Sequence, residues 1–170
     1  MFDRLIDLIA GFWQSLLPFY VLKPWEGGLV LRLGKFNRKA VDGFNWVIPF
    51  VEELISIDVQ VHTNWTAPQT MTTADHQLVT VQWVVVWDIV DPVKALTVPD
   101  NIGDALRDTY IGAGGDMVSQ SNLDDLNQRR FLSKIKKKCQ DKAERYGVRI
   151  IDFNLAELAP CNAIRLIQNS

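Results

Sequence analysis

Two histidines and two cysteines are the residues of this 170-residue chain best suited to metal binding or nucleophilic chemistry. Their spacing suits neither task. His62 falls on the polar side of an alternating stretch, and His76 lies in the turn-like segment Thr73-Ala74-Asp75-His76-Gln77. Neither has a second ligand at metal-binding distance along the chain, so both read as surface histidines. Cys139 and Cys161 match no metal or redox spacing and read as free thiols in a reducing compartment. Gly112-Ala113-Gly114-Gly115 continues a helical pattern rather than following a strand, which is the wrong setting for a phosphate loop. No serine elbow or dinucleotide fingerprint occurs. The sequon Asn64-Trp65-Thr66 would matter only in a secreted protein, and nothing else points to secretion. The expectation is therefore no catalytic, cofactor-binding or metal-ligating residues, and a protein that is not an enzyme.

One chemically loaded group remains. Arg129, Arg130, Lys134, Lys136, Lys137 and Lys138 crowd onto a single helical stretch. Such a run makes either a contact for anionic lipid headgroups or an acidic neighbouring subunit, or simply a solvated helix face, which is the commoner outcome. Nucleic acid is not expected as a partner: the net charge is -2, and no regular aromatic interleaving accompanies the basic residues.

The elements that must position these groups begin with an unusual terminus. From Phe2 to Leu22, apolar and aromatic side chains surround a narrow stripe of Asp3, Asp7, Ala10, Gly11 and Gln14 at helical spacing. The uncharged run from Leu8 to Leu22 is 15 residues, short of the roughly 20 a bilayer span requires. Pro18 would also kink a helix near its end. A monotopic helix or re-entrant hairpin fits better, anchored by Phe2, Leu5, Ile6, Ile9, Phe12, Trp13, Leu16, Leu17, Phe19 and Tyr20. Bulky residues where a cleavage site would be small argue against a signal peptide, and Phe2 excludes myristoylation. A buried core helix is the rival reading, weakened by the segment's position at the extreme terminus.

Beyond it the period switches to two. Leu29, Leu31 and Leu33 predict a short strand ending at Gly34-Lys35, and Asp42-Gly43 a turn before Phe44–Ile48. Ile55 to Trp65 reads as one long strand, and Val79 to Ile89 as another, nearly buried on both faces at Val84 and Val86. Asp91-Pro92 predicts a helix start, with a short helix over Val93–Leu96. A second helix is expected over about Asn101–Val118, weakened by its glycines. A third is expected from Ser121-Asn122 to Tyr146, with Leu123, Leu126, Leu132, Ile135, Cys139, Ala143 and Tyr146 facing the core and Gly147 as cap. A strand over Val148–Leu158 and a short helix over Asn162–Gln168 complete the reading.

Four ordered fragments then resemble one family. Lys23-Pro24-Trp25-Glu26-Gly27-Gly28-Leu29-Val30-Leu31-Arg32-Leu33-Gly34-Lys35-Phe36 resembles the opening of the SPFH, or band 7, domain of stomatins, prohibitins and flotillins. Asp42 to Phe50, Asp91 to Leu96, and Leu123 to Arg130 with Tyr146-Gly147-Val148 are similar to its later elements, although Val41-Asp42 stands where the family has a proline before the glycine. The resemblance covers about residues 20 to 160. It implies an α+β domain with a mainly antiparallel sheet and packed helices, preceded by a membrane-associated helix: residues 1–22 as anchor, 23–160 as the domain, and 161–170 as the start of a C-terminal helix. It also implies homo-oligomeric rings or cages that organise membrane lipids and proteins, with no catalytic residues and no cofactor. Ending at Ser170, the chain reads as a short form without the family's coiled coil. The implied partners are lipids, other copies of the chain, and a membrane protease or channel. The alternative is a peripheral adaptor that regulates such a protease or channel. Location at a membrane, peripheral or by a single hairpin, follows from either.

Overall fold

The computed structural model describes residues 19–161, and they form two compact units divided between Gln60 and Val61. The expected membrane residues Phe2 to Leu17 and the expected helix over Asn162–Gln168 lie outside the described residues.

Among the described residues, the first unit is all strand. β1 (Phe19–Leu22) pairs antiparallel with β4 (Gly43–Trp46), and β2 (Glu26–Arg32) lies between β3 (Lys35–Lys39) and β5 (Glu52–Asp58), again antiparallel. The end of the segment read as a membrane helix is thus a strand at Phe19–Leu22. The alternation Phe19, Tyr20, Val21, Leu22 suits a pleated ribbon, with Leu22 turned inward against Val30, Ala40 and Leu54 in a small core. Asn45, opposite Tyr20, is buried beside it. Its amide group accepts from the Val41 N–H and donates to the Val41 and Gly43 carbonyls, so the side chain serves as the scaffold of the turn. Gly43 in that turn has φ +84°, a conformation open to glycine whether or not proline precedes it.

The second unit is built on β8 (Leu78–Ile89). β6 (His62–Trp65) and β7 (Gln69–Thr72) pair with it on one side and β9 (Val148–Pro160) on the other, all antiparallel. The single strand expected over Ile55–Trp65 is therefore two. It ends at Asp58, where the Asp58 carboxylate accepts from the Gln60 N–H in a local turn that competes with continued pairing. Val79, Val81, Trp83, Val85, Trp87 and Ile89 are buried on one face, as their alternation requires, while Val84 and Val86 are only half-buried.

The helices cover the buried face. α1 (Pro92–Thr97) starts as expected, with the Asp91 carboxylate accepting from the Val93 and Lys94 N–H groups. α2 (Ile102–Ser119) is capped by Asn101, and its glycines do not interrupt it. A Cβ on Gly114 would come within 2.8 Å of Trp83 Nε1, so the absent side chain is what lets α2 pack on the buried indole. The third expected helix is shorter than read: α3 spans Arg129–Ala143, flanked by 3-10 turns at Leu123–Asp125 and Glu144–Tyr146. Phe131, Ile135, Cys139 and Ala143 form its buried stripe. Phe131 takes the place assigned to Leu132, which is half-buried, as are Leu123 and Tyr146. Gly147 ends the element at φ +71°, and its carbonyl accepts from the Val90 and Asp91 N–H groups.

Candidate functional site

Two surfaces gather the residues that the sequence singles out. In the first unit, β1 and β4 place Phe19 opposite Trp46 and Val21 opposite Phe44. Directly opposed residues share a face of the ribbon. All four side chains lie on the face away from Leu22 and Asn45, and they are 42% to 61% exposed. Phe19 and Phe44 stack with ring centroids 5.4 Å apart, and Phe44 and Trp46 lie at 6.4 Å. One side of this ribbon therefore presents only apolar and aromatic groups to solvent. Tyr20, on the other face, is also exposed.

Two loops of the same unit also expose large apolar side chains. The β2–β3 connection is a two-residue turn whose central residues, Leu33 and Gly34, both have positive φ, +52° and +76°. This is the pattern of a type I′ hairpin turn, which favours Asn or Gly at the first position. In the neighbouring loop Phe50 also has positive φ, +64°, and the two loops are tied by a hydrogen bond from the Leu33 N–H to the Val51 carbonyl. Leu33 is 76% exposed and Phe50 82%. A large apolar side chain with left-handed backbone, pointing into water, carries both a conformational and a solvation cost. Two together mark a surface selected for something other than stability in water.

Of the residues expected to anchor the chain, Phe19 and Tyr20 are thus placed on the exposed ribbon. Phe44, Trp46, Leu33 and Phe50 were not assigned to a site from the sequence. The alternation Phe44-Asn45-Trp46 carried the signal, but its pairing with β1 did not show.

The basic run lies on α3 of the second unit and is partly committed to the fold. Lys136 donates to the carbonyl of Ile151, the extra residue at a bulge between β8 and β9. Lys138 pairs with Asp116 of α2 at 2.7 Å and holds that carboxyl below its ordinary range. Arg129, Arg130, Lys134 and Lys137 have no side-chain hydrogen bond or ion pair among the described residues. They remain the available cations.

The other candidate groups are structural. The Cys139 thiol is buried, which pushes its pKa up to about 12 against the opposing pull of Lys142 and Lys138, so it stays protonated and inert. Thr66 of the sequon is buried, and its hydroxyl accepts from the Trp83 N–H. His62 stacks on Trp87 at 4.6 Å. Among the described residues, no group of three or more His, Cys, Asp or Glu side chains is arranged to hold a metal ion, and no helix is long and apolar enough to cross a membrane.

An antiparallel α+β chain with this ordered set of motifs defines a class, and the comparison with known proteins agrees. The chain belongs to the SPFH domain / Band 7 family, which matches residues 20–169. It is 33% identical over 126 residues to Protein HflK of Vibrio cholerae, covering 65% of this chain and 32% of that protein. It is 26% identical over 152 residues to the Escherichia coli K12 protein named Modulator of FtsH protease HflK, covering 86% and 36%. An uncharacterized protein of Methanocaldococcus jannaschii is 28% identical over 147 residues, covering 85% and 74%. The chain spans about a third of the length of the HflK proteins it matches.

Proposed function

We propose that the chain is a membrane-associated scaffold that assembles with copies of itself on a bilayer and organises lipids or membrane proteins there. The observation that carries the reading is the exposed aromatic ribbon of Phe19, Val21, Phe44 and Trp46, continuous in sequence with the apolar segment Phe2–Leu22. Aromatic rings favour the headgroup region of a bilayer, and contiguous apolar surface of this kind is uncommon on a protein that faces only water. An aromatic side chain offers about 150–250 Å². With about three fifths of Phe44 and Trp46 in water, dehydrating each yields at most ~2–4 kcal/mol at ~25 cal/mol per Å².

The same reading assigns Arg129, Arg130, Lys134 and Lys137 to contact with anionic headgroups or an acidic face of a neighbouring copy. Reversing those four charges then disrupts assembly while leaving the fold intact. Lys136 and Lys138 are unsuitable for that test because both hold intramolecular partners.

Vesicle flotation separates the contributions. The full chain is compared with a chain beginning at Phe19, which keeps β1 and the core residue Leu22, and with Phe44→Ser/Trp46→Ser. Each change is expected to lower the floating fraction, and the combination to abolish flotation. If the combined variant floats like the unaltered chain, the reading is wrong.

A second reading, a peripheral adaptor that regulates a membrane protease, is favoured by the likeness to the Escherichia coli protein named Modulator of FtsH protease HflK. It predicts a monodisperse monomer after purification without detergent, whereas large rings in negative-stain images support the scaffold.

A further inference from the structure

The strand edges of the second unit are treated unequally. The outer edge of β9 is occupied at its start: Gln140 of α3 donates to the Val148 carbonyl and accepts from the Ile150 N–H, and Lys136 donates to the Ile151 carbonyl. Its far end is closed by Pro160, which has no N–H to offer. β6 has no such protection. The Thr66 N–H donates to the Trp83 carbonyl, and antiparallel pairing alternates. Asn64 and His62 therefore face β8 with their main-chain groups, while those of Thr63 and Trp65 point outward. Those outward groups have no main-chain partner among the described residues.

That edge borders a cleft of about 330 Å³ lined by β6 and by Gly103, Asp104, Arg107 and Tyr110 on one face of α2. The side chain of Asn64, half-buried, has no hydrogen-bond partner among the described residues. Arg107 bonds Asp104 at 3.1 Å through one nitrogen, which leaves further guanidinium donors free.

We infer that the cleft between β6 and α2 binds an extended peptide of another protein as an added strand on β6. The outward N–H and C=O groups of Thr63 and Trp65 supply the main-chain ladder, and the Asn64 amide and Arg107 receive a hydrogen-bond-accepting side chain of the peptide. An unpaired strand edge beside a helix wall matches the repeating donors and acceptors of a polypeptide, which a lipid headgroup or a nucleotide does not possess. The site lies on the second unit and is independent of the aromatic ribbon, so it stands or falls apart from the membrane reading.

The test uses the full chain in detergent micelles and a phage-displayed library of random short peptides. The selected consensus peptide is synthesised, labelled and titrated by fluorescence anisotropy. Thr63→Pro removes one outward N–H without touching the ladder to β8, and it is expected to weaken binding about tenfold. Arg107→Gln, on the opposite wall, leaves β6 unaltered and is expected to weaken the same peptide severalfold. Hydrogen exchange at Thr63 and Trp65 is expected to slow in the complex. The inference is overturned if panning yields no binding sequence, or if the selected peptide binds both variants as tightly as the unaltered chain.

Discussion

The turn at Leu33-Gly34 sets stability against membrane contact, and one substitution separates them. Leu33 has φ +52° at the first central position of a two-residue hairpin turn and is 76% exposed. Left-handed backbone costs a residue with a Cβ roughly 1–2 kcal/mol, and asparagine recovers part of this through local hydrogen bonds. Leu33→Asn is therefore expected to stabilise the fold by up to ~1 kcal/mol, or about 2–4 °C in Tm for a chain of this size. Burying a leucine fully contributes about 1.5–3 kcal/mol, and the exposed three quarters of Leu33 then accounts for roughly 1–2 kcal/mol of bilayer affinity. The same variant should partition into vesicles about 5- to 30-fold less well. Thermal unfolding and a vesicle-binding isotherm on the same preparation read the two effects. Their opposite signs are the prediction. A variant no more stable than the original refutes the strained turn, and unchanged partitioning refutes contact between Leu33 and lipid.

Three further outcomes follow from the second unit. Gly114→Ala drives a methyl into the buried Trp83 indole and should destabilise by about 1–3 kcal/mol, whereas Gly112→Ala, with nothing within 4 Å, should stabilise by up to ~1 kcal/mol; urea unfolding of the pair checks both. Cys139, with its pKa raised to about 12 by burial, should resist alkylation at pH 8 until the chain is unfolded, while half-buried Cys161 reacts first. Asp116 is held below its ordinary carboxyl range by Lys138, so the pair's contribution is fully present above that range and is lost as pH falls through the depressed value. An NMR titration should show Lys138→Met returning the Asp116 midpoint upward.

What could be read from the sequence was whatever depends on local pattern. The cap at Asp91, the stop at Gly147 and the buried alternation of β8 each follow from a few adjacent residues, and each appears in the structure. The failures are non-local. Ile55 to Trp65 alternates without interruption, yet pairing with β2 ends at Asp58 and pairing with β8 begins at His62, so two partners divide one pattern. Phe19–Leu22 is apolar enough to continue a helix, and only the strand Gly43–Trp46 turns it into a ribbon. The basic run is uniform in sequence, whereas the packing of α3 draws Lys136 and Lys138 into the fold and leaves Arg129, Arg130, Lys134 and Lys137 without a side-chain partner among the described residues. The aromatic surface is not legible in the sequence because its two halves are separated by more than twenty residues of chain.

Hydrogen–deuterium exchange of the full chain with and without vesicles of mixed neutral and anionic lipid tests the membrane-facing ribbon most directly. Protection is expected to concentrate in Phe19–Leu22 and in residues 43–50, with a smaller change at the start of α3. Unchanged exchange in those two segments while the chain is vesicle-bound would contradict the account.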